Sequence, residues 1–194
     1  MLLAGVDLSA SSRKPTYISL LDEDLRAGIL SASEDSEIIE VLREAKPSIV
    51  GIDAPLSLPL KGGVRGCERI LASLGVRFFP PMIPSMAALT RRGIRLRSAL
   101  EALGFVVIEV YPGGSQDLLC IPRKKSLSRL REGLEGLGVR LPPGRLSGDA
   151  LDAVTAAYTV FLYSSGDYLR ITSEDCSLVL PLPRCLPRSP TRRY

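Results

Sequence analysis

Two apolar runs, AGVDLS at residues 4–9 and VGIDAPLS at residues 50–57, each end in Gly, a β-branched residue and aspartate ahead of a loop. Asp7 and Asp53 therefore stand where buried strands would run out. A third acid, Glu109, lies near the end of FVVIEVY. In SGDALDAVTAAYTV, Asp149 and Asp152 are three residues apart, hence on one face of a helix. Carboxylates gathered at strand ends cannot all stay ionised without compensation. Mg²⁺ or Mn²⁺ would supply it, since both prefer oxygen ligands and keep several waters. Two such ions, roughly 3.5–4 Å apart, can activate water and steady a leaving oxygen in phosphodiester cleavage. The metal-ligand candidates are Asp7, Asp53, Glu109, Asp149 and Asp152.

The chain has no histidine. That removes the commonest general base, the usual zinc ligand and every Ser-His or Cys-His pair. Carboxylate and metal chemistry needs none of them.

Each acid also has a plainer reading. Asp7 and Asp53 could satisfy loop N–H groups, and Asp149 could be an ordinary first-turn helix acid. Glu109 could pair with an arginine of the segment that follows Asp53. Asp152 sits deeper in an otherwise apolar helix, where a solvated role is harder to argue.

The elements that would position these acids follow from apolar periodicity. Leu2–Leu8 reads as an interior strand; Thr16–Leu21 and Leu25–Leu30, separated by the turn DED, read as an antiparallel pair. Ser33 is placed to cap a helix that ends before Pro47, and Ser48–Asp53 is a second buried strand. Residues 54–84 form a Pro/Gly-rich insertion around a helix over Arg65–Leu74. Ser85–Leu103 is helical, Phe105–Tyr111 a fifth strand, PGG a turn, Lys124–Leu137 a short basic helix and Ser147–Tyr163 a long one. A hairpin around Ser173–Ser177 closes the fold. The expectation is an α/β protein with a mixed five-stranded sheet flanked by helices, the second strand antiparallel to its neighbours. Residues 1–180 would form a single domain, and 181–194 a Pro/Arg-rich tail.

The 194 residues suffice for one domain with a sizeable core, and 45% are hydrophobic. No stretch approaches the roughly 18–20 apolar residues of a membrane span, and the N-terminus lacks the pattern of a signal peptide. Four cysteines without a CxxC suggest free thiols in the cytoplasm. Residues 1–60 hold five Lys/Arg against ten Asp/Glu, whereas residues 61–145 hold fifteen against six. A basic middle beside acidic flanks suits a metal site next to a polyanion groove; scattered surface charge is the alternative. Arg65, Arg69, Arg91 and Arg92 are candidate phosphate holders, because arginine forks match phosphate oxygens. Tyr111 could stack on a base or cover the sheet edge.

The β-β-β-α-β order, with acids on the first and fourth strands and a D-x-x-D helix, resembles the ribonuclease H-like superfamily. DALDA is similar to the C-terminal acidic motif of RuvC-type resolvases. GVDLSA, GIDAPLSLP, RGCE, FPP, RRG, IEVYPGG and DALDAVTAAYT, in this order over about residues 3–163, resemble an uncharacterised domain family described as predicted RNase H-like nucleases. The resemblance implies the ribonuclease H-like fold and metal-dependent nuclease activity. It matches Asp7, Asp53 and Asp152 to the catalytic acids, with Asp149 as companion. Two departures stand out: the insertion is long, and Asp53 replaces the glutamate of many relatives.

The leading expectation is a nuclease using Mg²⁺ or Mn²⁺, two ions being expected, on DNA or RNA, with no membrane partner and with a homodimer left open. A non-catalytic nucleic-acid or protein-binding module is the second reading. An actin-like kinase or ATPase is the third, but the chain is short for the second nucleotide-binding half such proteins need.

Overall fold

Leu3, Ala4 and Val6 are all buried, and residues apolar on both faces belong inside a sheet rather than at its edge. In the computed structural model, which describes residues 1–185 apart from the side chain of Ser85, β1 (Leu3–Asp7) is such a strand. It pairs antiparallel with β2 (Thr16–Leu21) and parallel with β4 (Ile49–Asp53). β2 pairs antiparallel with β3 (Ala27–Ala32), and β4 pairs parallel with β5 (Val106–Val110). The second strand is thus antiparallel to both neighbours, as expected.

The sheet has seven strands rather than five, in the order β3-β2-β1-β4-β5-β7-β6. The C-terminal hairpin, β6 (Tyr168–Ser173) and β7 (Cys176–Pro181), joins it through parallel pairing of Glu109 with Leu178 and Val110 with Val179. Leu178, Val179 and Leu180 are all buried. An apolar strand of this kind covers the otherwise unpaired edge of β5.

Helices cover both faces. α1 (Asp35–Ala45) and α3 (Pro84–Ala102) pack Ile38, Leu42, Leu96 and Leu100 against Ala4, Val6, Val50 and Ile52. The opposite face carries α6 (Gly148–Ser165), flanked by α4 (Pro112–Leu118) and α5 (Leu127–Gly136). The α1 cap is Glu34 rather than Ser33, because the Glu37 carboxylate folds back to accept from both backbone N–H groups, at 2.8 and 3.2 Å. The PGG segment is the start of α4 and not a turn. Pro112 is suited to a first helical position, and Gly114 lets Tyr111 pack where an added Cβ would lie 2.7 Å from its ring.

Within the insertion, α2 (Gly66–Ser73) lies against the β6–β7 hairpin. The cysteines are not free thiols: Cys67 is bonded to Cys176 and Cys120 to Cys185, with Cα atoms 6.0 Å apart in each pair. Partners 109 and 65 residues apart carry no local signal, so only the fold reveals them. Among the described residues no helix is long and apolar enough to cross a membrane. Of the expected tail, residues 186–194 lie outside the described residues.

Candidate metal centre

Asp7 and Asp53 are register partners at the carboxyl ends of β1 and β4. Adjacent strands run about 4.8 Å apart, and register partners point to the same face. Side chains alternate along a strand, so Gly5 faces the same way as Asp7, and Gly51 the same way as Asp53. Both glycines lie under α6. A Cβ on Gly5 would sit 2.1 Å from the Ala157 nitrogen and 2.4 Å from the Ala153 oxygen. One on Gly51 would sit 2.5 Å from Val160 Cγ2. The repeated Gly-β-branched-Asp pattern thus has a physical meaning. The glycine admits the helix against the strand, and the aspartate two residues on meets what the first turns of that helix carry.

Those turns carry Asp149 and Asp152. One carboxylate oxygen from each of Asp7, Asp149 and Asp152 can be chosen so that all three lie within 4.8 Å of one another. Asp53 adds a fourth acid beside Asp7, its register partner on the adjacent strand, and each carboxyl acts on the other. Burial, then the Asp152 charge, pushes the Asp7 carboxyl up to about 8. Burial, then Asp7 and Asp152, raises Asp53 well above the ordinary carboxyl range. The centre therefore carries more acid than its surroundings neutralise, and in the absence of a cation it holds protons instead. Clustered oxygen donors whose charge is under-compensated fit a hard divalent cation.

Two residues that no sequence signal singled out complete the centre. Lys124 places its Nζ 2.9 Å from Asp149 Oδ1 and 2.9 Å from Asp152 Oδ2. Burial alone would lower its pKa, but hydrogen bonds to the two acids raise it above that of an ordinary lysine. Gln116, fully buried on α4, donates from Nε2 to Asp152 Oδ1 at 2.8 Å and to Thr155 Oγ1 at 3.1 Å. Lys124 is one basic residue in RKKS, and Gln116 lies just past the PGG that was read as a turn.

Glu109 lies elsewhere. Its register partner on β4 is Ile52, whereas the partner of Asp53 is Val110. This one-residue offset sends Glu109 to the opposite face of the sheet, as strand alternation requires. There its carboxylate is bidentate to Arg65 and accepts from the Leu56 backbone N–H at 2.8 Å. Arg65 is 1% exposed and spends all five N–H donors on Glu109, Glu68 and Ser57. The plainer reading of Glu109, a pair with an arginine of the insertion, describes what is seen.

Arg92 is also internal, at 5% exposure. It joins α3 to Asp35, to Ser9 and to the Ser33 carbonyl at 2.7–2.9 Å. Of the four arginines expected to hold phosphate, Arg65 and Arg92 are thus structural ties, and Arg69 and Arg91 are exposed. Tyr111 donates to the Arg77 carbonyl at 2.6 Å and lies under the Arg123 guanidinium. It lines a small cleft of about 70 Å³ with Asp53, Phe78, Phe79 and Met86.

A mixed sheet with an antiparallel second strand, helices on both faces, and acids at the ends of β1 and β4 and on the last helix together define a ribonuclease H-like α/β protein. The chain belongs to the family described as "Protein of unknown function (DUF429)", whose model matches residues 5–176. Two solved structures are similar to it. Thermus thermophilus RuvC is 15% identical over 86% of this chain and 97% of that one, with a TM-score of 0.49. T. thermophilus RuvC in complex with Holliday junction substrate is 14% identical over 86% and 96%, with a TM-score of 0.52. At this identity the likeness to the complexed RuvC is one of fold. No curated protein is a significant match.

Proposed function

We propose that this chain is a metal-dependent nuclease that hydrolyses phosphodiester bonds of DNA or RNA. The observation that carries this reading is the convergence of Asp7, Asp149 and Asp152 within 4.8 Å, with Asp53 the register partner of Asp7 beside them. Asp7, Asp53 and Asp152 are the catalytic acids of this proposal and Asp149 a further ligand. Mg²⁺ or Mn²⁺ is the cation, and it would supply a Lewis acid and an activated water at the scissile phosphate. Asp7 and Asp53, whose carboxyls are raised, would give up protons on binding it, while Gln116 holds Asp152 by its Oδ1. The two-ion expectation counted five acids; with Glu109 on the other face four remain, and the ion count then depends on Lys124.

Nucleic acid is the proposed partner. The RuvC of similar fold was solved with a Holliday junction substrate, and exposed Arg69 and Arg91, with Tyr111 at its cleft, are the groups proposed to contact the polymer. A single domain over residues 1–180 and a cytoplasmic location belong to the same reading. With paired cysteines, that location suits cells that keep intracellular disulfides, as hyperthermophiles do. One observation favours the alternative of a non-catalytic module: Lys124 already neutralises part of the cluster without a metal.

A nuclease assay over varied DNA and RNA substrates with Mg²⁺ or Mn²⁺, paired with melting curves with and without Mn²⁺, separates the two readings. Cleavage lost in Asp152→Asn and a melting shift with Mn²⁺ are expected. No cleavage of any substrate together with no Mn²⁺ shift would give the module reading the lead.

A further inference from the structure

The four acids at the centre stand in pairs. The strand acids Asp7 and Asp53 are register partners on adjacent strands. The helix acids Asp149 and Asp152 share the Lys124 ammonium, 2.9 Å from an oxygen of each. Asp152 has both oxygens engaged, Oδ2 by Lys124 and Oδ1 by Gln116.

Lys124 is held in place by its surroundings. Its stem lies against the start of α6, where a Cβ on Gly148 would come within 3.1 Å of Lys124 Cδ and 3.2 Å of its Cβ. The preceding residue, Arg123, is pinned by its Nε to Asp117 Oδ1 at 2.9 Å and by its second contact to Asp117 Oδ2. A lysine ammonium is a compact point charge, close in role to a small cation. A divalent ion bridging the same two oxygens would meet that charge at contact distance and be repelled.

We infer that Lys124 takes the place of a second metal ion, so that the centre holds one divalent cation, on Asp7, Asp53 and Asp152, beside a tethered ammonium between Asp149 and Asp152. The inference rests on the metal-site reading above and sets its stoichiometry. Lys124 is then a positioning residue: it fixes the helix acids and keeps a second ion from bridging them.

The test is a count of bound Mn²⁺ on the full chain, read from the free-ion signal in an electron paramagnetic resonance titration and repeated calorimetrically. Wild type should bind one Mn²⁺. Lys124→Met, which keeps the stem and removes the charge, should bind two, and Lys124→Gln serves as an independent variant should the methionine chain fold poorly. Two ions on wild type, or one on both wild type and the variants, overturns the inference and leaves the metal site standing. No ion on wild type or on either variant overturns the metal site, and the inference falls with it.

Discussion

Asp7 and Asp53 occupy the same register position on adjacent parallel strands, where burial and neighbouring acid charge raise both carboxyls. Two acids held this way titrate as a pair. The native chain keeps a proton there that the unfolded chain would release at ordinary acidic pH.

This has a definite sign. A carboxyl raised from 3.8 to about 8 binds more protons folded than unfolded between those values. Stability must then fall as pH rises through that window and level off above it. In chelated buffer the melting temperature should decline from about pH 4 to about pH 8. Mn²⁺ displaces protons from the same acids, so its stabilising shift should be larger at pH 8 than at pH 6. A melting series in both buffers checks this; a flat profile in chelator would contradict the raised Asp7 carboxyl.

Asp152 is the strongest charge acting on Asp7, second only to burial. Asp152→Asn should therefore move the destabilising pH window downward while the fold survives, since the amide keeps the shape of the side chain. It should also shrink the Mn²⁺ melting shift, because a ligand stabilises only as far as it binds the native state. Gln116→Leu leaves the charge and removes the group that orients it. Mn²⁺ affinity should drop by about 10–100-fold, the usual cost of losing an outer-shell partner, as measured by calorimetric titration.

The glycines beneath α6 should differ in tolerance. At Gly5 an added methyl meets helix backbone, the Ala157 nitrogen at 2.1 Å and the Ala153 oxygen at 2.4 Å. Gly5→Ala should cost at least the ~1–3 kcal/mol of an overpacked core and lower Mn²⁺ affinity with it, by displacing Asp152. At Gly51 the nearest atom belongs to the Val160 side chain, which can turn, so Gly51→Ala should cost less. Denaturant melts of the two variants give the comparison.

The arginines should separate by burial. Arg65→Leu strands two buried carboxylates, Glu68 and Glu109, and should cost ~3–5 kcal/mol. Arg91 is exposed, and Arg91→Glu should change stability by no more than about 0.5 kcal/mol. If nucleic acid follows α3, Arg91→Glu should also weaken binding and flatten its salt dependence. Unfolding curves and a salt series of binding isotherms decide each half.

Most strands and helices were legible because each carries its own period. Thr16–Leu21 is a short, largely apolar run ended by the acidic turn DED, α1 repeats its apolar residues at helical spacing, and β1 and β4 are too apolar for an edge. The strand-end acids were legible because Gly-x-Asp recurs. Glu109 was misplaced because a strand end is known from sequence only to within a residue, and one residue reverses the face. Arg65 and Arg92 were read as surface groups because sequence shows a charge but not its partner; theirs lie up to 83 residues away along the chain. The pairing of β5 with β7 and both disulfides are equally long-range, and no local period reports them.

The seam between β5 and β7 is only two residue pairs long. Besides packing on α4 and α6, the C-terminal hairpin is fastened to the insertion, by Cys67–Cys176, by Ser57 donating to the Asp175 carbonyl, and by the Gly66 N–H on Asp175 Oδ1 at 2.9 Å. Two segments more than a hundred residues apart are thereby joined into one unit of local unfolding. Amide hydrogens of α2 and of β6–β7 should exchange at a common rate, faster than those of β1 and β4. Each opening would admit water to the Arg65–Glu109 pair while leaving the four aspartates on the far face of the sheet undisturbed.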